Sequence, residues 1–256
     1  LLRIQAICQD AQSGIKDLVK VVNKDPSLTA NILKFANSPF FARMKKISSL
    51  DQAITYFGMA TVHGFALAAA VKNNLKMDLS AYGIDPKVFA RASELQSLLL
   101  KNWLGGVEQR LMEILLPSAF ISRVGMIPIA EYIAEQELTV PFKDRLKNVN
   151  GQAEVHDLEL EFTGFSTPQA SATIFEHWNF HPMMVAAIRG SQFPEGVDKQ
   201  HRKHALAMDC VQSAILYDSR IDENCIQKTL NKAGAADLYK DRLESAIIKV
   251  QKISEY

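Results

Sequence analysis

Apolar positions recur at helical spacing along most of this chain. Ile15, Leu18, Val19 and Val22 fall at i, i+3, i+4 and i+7 and predict a first amphipathic helix within residues 1–24. Leu28, Ile32, Phe35 and Ala36 predict a second. Asp25 can accept its free first-turn N–H groups, and Pro26 sits at the first helical position, where its missing N–H removes nothing. That helix runs out at Asn37-Ser38-Pro39, because proline disfavours helical geometry in the residue before it. Ser49 to Gln52 reads as a capping box that opens a helix carrying Ala53, Ile54 and Phe57 before Gly58. From Met59 to Leu75 the pattern predicts another helix with an alanine-rich face suited to close packing.

Asp78 to Asp85 gathers turn and cap residues and is the best boundary in the chain. Asp85-Pro86 then repeats the aspartate–proline start and opens a helix through Val88, Phe89, Ala92, Leu95 and Leu99, stopped by Gly105-Gly106. The pattern predicts a helix from Glu108 to Leu116 ended by Pro117. Two short buried helices follow within Ala119–Ile133, interrupted by Gly125 and Pro128, and Val140–Gly151 reads as irregular or loosely helical. Gln152–Phe162, a helix begun at Thr167-Pro168, another opened by Pro182, and three more over Lys199–Tyr217, Glu223–Lys232 and Ala236–Ile253 complete the chain. No alternating strand pattern and no internal repeat is present. The predicted class is all-α, with a smaller N-terminal lobe of about residues 1–80 packed on a larger lobe over 83–256.

Composition changes this picture little. The 256 residues are 48% hydrophobic, enough for one large domain or two lobes. Basic and acidic residues balance, 29 against 28, so no single-sign field recommends nucleic acid or an anionic membrane as partner. Gln52 to Val71 carries no charge and has the length of a membrane span, but its polar residues and Gly58 read as a buried helix pair. Cys8, Cys210 and Cys225 are far apart with no CxxC pair, which points to a reducing, cytoplasmic setting. Residue 1 is Leu rather than Met, which reads as a trimmed or excised piece.

The segment DPSLTANILKFANS at 25–38, followed by ISSLDQAITYFG at 47–58, resembles the N-terminal signature of HDOD domains. These are bacterial signalling-output domains related to the HD metal-dependent phosphohydrolases, and the resemblance implies an HD-like helical bundle for the larger lobe. HD hydrolases need a histidine, a His-Asp doublet and a further aspartate, because imidazoles and carboxylates together hold a metal that generates hydroxide. By that resemblance each ligand position can be read in this chain. Ala92, in FARASEL, stands at the first histidine. Ser122 and Arg123, in FISRVGMIPI, stand at the doublet, with Gly125 retained. Thr167, in GFST, stands at a later histidine. Trp178 is kept in HWNFHP, and Ser191 stands where a further histidine is expected. The resemblance therefore implies a degenerate pocket of Ala92, Ser122, Arg123, Thr167 and Ser191, with no metal, no cofactor and no catalytic residue.

The chain's literal HD doublet, His156-Asp157, lacks the family's spacing and reads as the charged start of a solvent-facing helix. His177 and His181 are spaced i, i+4 as in zinc helices, but Trp178 and Pro182 favour a pair at a helix end. His201 and His204 lie among Lys199, Arg202 and Lys203 and read as a solvated face or a small patch for an acidic partner, and His63 reads as a core histidine. Asn37 and Ser38 read as a C-cap or as ligand contacts, and Phe40 and Phe41 as core plugs or an exposed partner patch. This turn is the first candidate for a partner-facing surface. The expected function is a non-catalytic scaffold or output domain that binds another protein or other domains of a larger signalling chain. Two alternatives remain: an HD-type phosphohydrolase with ligands rearranged around His156-Asp157, and a helical sensor of a small molecule or nucleotide.

Overall fold

The computed structural model of this chain describes residues 15–23, 29–30, 32–33, 47–57, 62, 77–177 and 180–254. Two compact units divide it, Leu1–Lys76 and Met77–Tyr256. No strand occurs among the described residues, and the fold is all-α.

In the first unit, α1 (Ile15–Val22) packs against α2 (Leu50–Phe57). The buried positions Leu50, Ala53 and Ile54 form one face of α2, as their spacing predicts. Its start is a variant of the predicted capping box. Ser49 Oγ accepts from the Gln52 N–H at 3.2 Å, but the Gln52 side chain reaches back to the N–H of Ser48, at 2.8 Å, rather than to that of Ser49. The Asp25-Pro26 start, the Asn37, Ser38, Phe40 and Phe41 turn, Gly58 and His63 lie outside the described residues, as do Cys8 and Trp178.

The second unit opens with a single 3-10 turn, Ser80–Tyr82, and then α3 (Pro86–Leu104). Asp85 caps α3 as predicted: its Oδ1 accepts from the N–H groups of Lys87 at 2.7 Å and Val88 at 2.9 Å. Helix α4 (Gln109–Ile121) lies along α3, then the chain bends through Ser122–Gly125 into α5 (Met126–Glu135). Pro117 does not end α4 but lies inside it. Burial of Leu115, Leu116, Ala119 and Ile121 outweighs the one lost backbone bond, and Ser118 Oγ donates to Ile114 O at 2.6 Å nearby. The region read as irregular or loosely helical contains a regular helix, α6 (Thr139–Leu146), anchored by the buried Phe142 and Leu146.

Next come α7 (Gln152–Thr163), α8 (Thr167–His177), α9 (Pro182–Gly190), α10 (Lys199–Ala214), α11 (Glu223–Ala235) and α12 (Lys240–Ser254). Helix α12 starts later than its pattern suggests, because Asp237 and Tyr239 adopt left-handed backbone at φ 52° and 45°. His181 is the N-cap of α9, its Nδ1 accepting from the Met183 N–H at 3.2 Å, so His177 and His181 stand on different elements rather than on one helix.

Two packing centres hold the unit together. Phe142, fully buried, meets Tyr82 and Phe162 edge-on with ring centroids 5.3 Å apart in both pairs. Its burial contributes about 1.5–3 kcal/mol and each edge-on pair about 1 kcal/mol more. Trp103 is likewise fully buried on α3, and its Nε1–H lies 3.2 Å from both Leu238 O and Tyr239 O, which ties α3 to the turn before α12. The apolar run Gln109–Glu135, long enough to cross a membrane by length and composition, is mostly buried inside this unit.

Candidate functional site

Helix α7 presents one polar face inward. Gln152, Val155, His156 and Glu159 fall at i, i+3, i+4 and i+7, and all four are buried, whereas Asp157 faces solvent. This corrects the solvent-facing reading of His156, which is only 5% exposed. The inward face meets α5, α8 and α10, and a polar seam runs between them.

Glu159 is the centre of one end of the seam. Its Oε1 accepts from the Tyr82 hydroxyl at 2.8 Å and the Thr167 hydroxyl at 2.7 Å, and its Oε2 accepts from the Thr167 N–H at 2.5 Å. Burial raises its pKa to about 7, against the pull of those donors and of the Arg123 charge. The same burial pushes the Tyr82 phenol well above its ordinary value. One carboxylate thus joins the 3-10 turn to the start of α8.

Arg123 occupies the bend between α4 and α5 and is 3% exposed. Its Nη2 donates to Ile215 O at 2.6 Å and Leu216 O at 2.9 Å, just beyond the end of α10. A guanidinium there satisfies terminal carbonyls and complements the negative end of the helix. Nε and Nη1 are buried with no partner among the described residues. Burial lowers the Arg123 pKa to about 10, opposed by the charges of Asp218 and Glu159. At that value the side chain still carries its charge at neutral pH.

Of the other positions singled out by resemblance, three adjoin this region and one does not. Ala92 is fully buried one helical turn before Gln96 on α3, and Gln96 Nε2 donates to the same Ile215 carbonyl at 3.3 Å. Ser122 Oγ lies 3.1 Å from Ala119 O and 3.5 Å from Gln96 Oε1, and its carbonyl accepts from Ser171 Oγ at 2.6 Å. Gly125 allows this approach. Its N–H donates to Ser171 Oγ at 2.8 Å, and a Cβ there would stand 2.4 Å from Thr167 O. Hydrogen bonds therefore link Ser122 to Gln96, one turn from Ala92, and to the helix of Thr167, while Arg123 shares the Ile215 carbonyl with Gln96. Ser191, at the end of α9, is set apart. Its hydroxyl lies 2.7 Å from Ile188 O and 2.9 Å from Gln212 Oε1 on α10.

Between the seam and Ser191 lies a cavity of about 120 Å³ lined by Gln152, His156, Ser191, Gln192, Asp209 and Lys232 among others. His156 Nε2 is 3.1 Å from Gln152 Nε2, and burial, with Arg123 and Lys232 adding to it, lowers the His156 pKa to about 3, so the ring is neutral. Asp209 holds Lys232 Nζ at 2.7 and 2.9 Å, with Ser213 Oγ 3.1 Å from the same ammonium. His156, Asp157 and Asp209 share this cavity wall, but no group of three or more His, Cys, Asp or Glu side chains poised to hold a metal occurs among the described residues. Asp209 is committed to Lys232, and the His156 ring to Gln152.

Sequence reasoning missed Glu159, Tyr82, Gln96 and Gln152. The signal for two of them was present, since Gln152 and Glu159 share helical spacing with Val155 on one face. Polar residues on an apolar stripe mark a buried network as readily as a wet surface.

The chain matches the profile of the HDOD domain over residues 1–194. An uncharacterized protein of Treponema pallidum (strain Nichols) is 22% identical over 199 residues, covering 74% of this chain but only 36% of that protein. The chain therefore spans about a third of that relative's length. Among solved structures, a candidate phosphohydrolase from Shewanella amazonensis SB2B superposes with a TM-score of 0.67 at 19% identity, covering 98% of this chain and 88% of the other. A candidate signal transduction protein from Marinobacter aquaeolei VT8 gives 0.66 at 20% identity, covering 99% of this chain and 56% of the other. At such identities the likeness is one of fold.

Proposed function

The chain belongs to the HDOD domain family, and from that premise we propose that it is a non-catalytic output or scaffold domain of a bacterial signalling pathway. It works in the cytoplasm through contacts with a partner protein or with other domains of a longer chain. One observation carries this reading. Ala92, Ser122, Arg123, Thr167 and Ser191, which by resemblance stand where an HD hydrolase holds its metal ligands, are all buried, and the four polar ones serve as hydrogen-bond partners within the fold. Arg123 adds a buried positive charge, which would repel a cation from that place.

Metal analysis and a phosphodiesterase assay on protein purified without chelator test the reading together. Metal well below one equivalent and no hydrolysis are expected. Stoichiometric iron, manganese or zinc accompanied by turnover overturns it in favour of a phosphohydrolase with rearranged ligands. The partner surface belongs to the same proposal and is placed at Asn37, Ser38, Phe40 and Phe41. Replacing Phe40 and Phe41 with Ser should weaken partner binding at an unchanged melting temperature, whereas a collapsed melting temperature assigns both rings to the core.

A further inference from the structure

The outward face of α7 is acidic. Glu154, Asp157 and Glu161 fall at i, i+3 and i+7, and all three are exposed. Two of these carboxylates are engaged. Glu154 Oε2 accepts from the Asn150 N–H at 2.8 Å, and Glu161 holds Arg145, which lines the same groove. Asp157 has neither a hydrogen bond nor an ion-pair partner among the described residues. Its charge is therefore open to an outside group.

Asp157 also lines the cavity between α7 and the segment after α9. Phe193 lines that cavity too and is 62% exposed, an aromatic side chain left largely in water. Phe165, 54% exposed, lies on a neighbouring loop, which the Ser166 hydroxyl ties to Gln192 Oε1 at 2.5 Å. Two exposed rings on joined loops mark an interaction surface rather than scattered apolar residues. The charges around the cavity cancel but for Asp157: Lys232 is held by Asp209, and burial keeps the His156 ring neutral. A group with one positive charge restores the balance, and an anion does not. About 120 Å³ has room for roughly four waters, which matches the heavy atoms of one guanidinium. A guanidinium also suits both walls, because it is planar, stacks on an aromatic face and donates in a fork to a carboxylate.

We propose that this face of α7 and the loop of Phe193 dock an arginine-bearing segment of a partner protein. The guanidinium pairs with Asp157 and stacks on Phe193, and an adjoining apolar side chain of the partner packs on Phe165. The proposal rests on the scaffold reading and gives it a surface on the second unit, in addition to the Asn37–Phe41 turn.

The test is a selection of phage-displayed random peptides on the whole chain, followed by fluorescence anisotropy with a synthetic peptide of the enriched sequence. Enriched peptides are expected to carry an arginine beside a large apolar residue. Asp157→Lys should weaken the synthetic peptide about tenfold, since attraction becomes repulsion. A glutamate in place of the peptide's arginine should recover binding to that variant. Phe193→Ser should weaken binding about threefold, the size of an exposed cation–π contact. Asp157 and Phe193 are both exposed, so neither variant should lower the melting temperature. The proposal is overturned by an absence of enrichment, by enriched peptides without a basic residue, or by binding that neither variant weakens. N-acetylarginine amide competing as well as the peptide overturns it in favour of a free small cation. A wild-type dimer in sedimentation that Phe193→Ser returns to monomer overturns it in favour of a contact between two copies. Peptide binding lost on Phe40→Ser or Phe41→Ser but kept in Asp157→Lys overturns it and leaves the scaffold reading standing, whereas bound metal with turnover overturns the scaffold reading itself.

Discussion

Tyr82 donates its hydroxyl to Glu159 across 2.8 Å, joining residues 77 positions apart in the chain. The bond is fully buried, and Tyr82 also packs its ring against Phe142 and Tyr217. Tyr82→Phe keeps the ring and removes one of three donors to the carboxylate. It should lower stability by about 1–3 kcal/mol, read as a drop in urea midpoint at unchanged slope. It should also raise the Glu159 pKa, since the lost hydrogen bond is one of the forces holding it down. An unaltered midpoint would mean that the hydroxyl contributes nothing.

Glu159 makes stability depend on pH in a defined direction. Its pKa rises from an ordinary 4.5 to about 7 on folding, so its contribution is fully present below pH 4.5 and is lost as pH climbs through 7. A shift of that size corresponds to on the order of 3 kcal/mol. Glu159→Gln, which cannot ionise, should flatten the stability profile between pH 4.5 and 7. An equally steep profile in the variant would remove Glu159 as its source.

His156 works in the opposite sense. Its pKa falls from 6.5 to about 3 on folding, so its contribution is present above pH 6.5 and is lost as pH falls through 3. His156→Gln should weaken the acid-side loss of stability, measured by chemical unfolding from pH 7 down to 4. Together the two groups make wild-type stability a compromise between opposing slopes.

Arg123→Met should change sign with pH. Below pH 4.5 Glu159 is neutral, and removing a buried cation with two unpartnered nitrogens should be neutral or stabilising by about 1–2 kcal/mol. Above pH 7 the same substitution takes away a charge that favours ionised Glu159, and it should destabilise. The carbonyls of Ile215 and Leu216 keep other donors, Gln96 Nε2 and the Ser219 N–H, so they are not the source of the effect. Midpoints that do not cross would show that Arg123 and Glu159 are uncoupled.

Gly125→Ala puts a Cβ 2.4 Å from Thr167 O and 2.6 Å from Ser171 N, both backbone atoms that cannot swing aside. Helices α4, α5 and α8 would have to part, at a cost of about 1–3 kcal/mol or more. A thermal melt within a degree of wild type would refute this account of the glycine.

Local chemistry was the legible part of the fold. The Asp85 cap, the Gly105-Gly106 stop and the Pro182 start rest on residues whose backbone preferences act within one turn, and the structure contains them. The place of Pro117 inside α4 and the regularity of the Thr139–Leu146 helix were not legible, because both depend on distant partners. Burial of the surrounding apolar residues carries α4 through its proline, and Phe142 finds Tyr82 and Phe162 from other elements. The same holds at the site. Ser122 and Arg123 could be picked out by resemblance, but nothing near position 123 indicates that its guanidinium reaches carbonyls 92 and 93 residues away. His156 was misjudged because charged neighbours on α7, Glu154, Asp157 and Glu161, mask the buried stripe between them.

The position of Arg123 also bears on which side chains its place in the fold tolerates. A carboxylate at this place would set a second buried acid within electrostatic reach of Glu159, with the guanidinium gone from the carbonyls beyond α10. Two acids would then share a space that now balances one acid against one base.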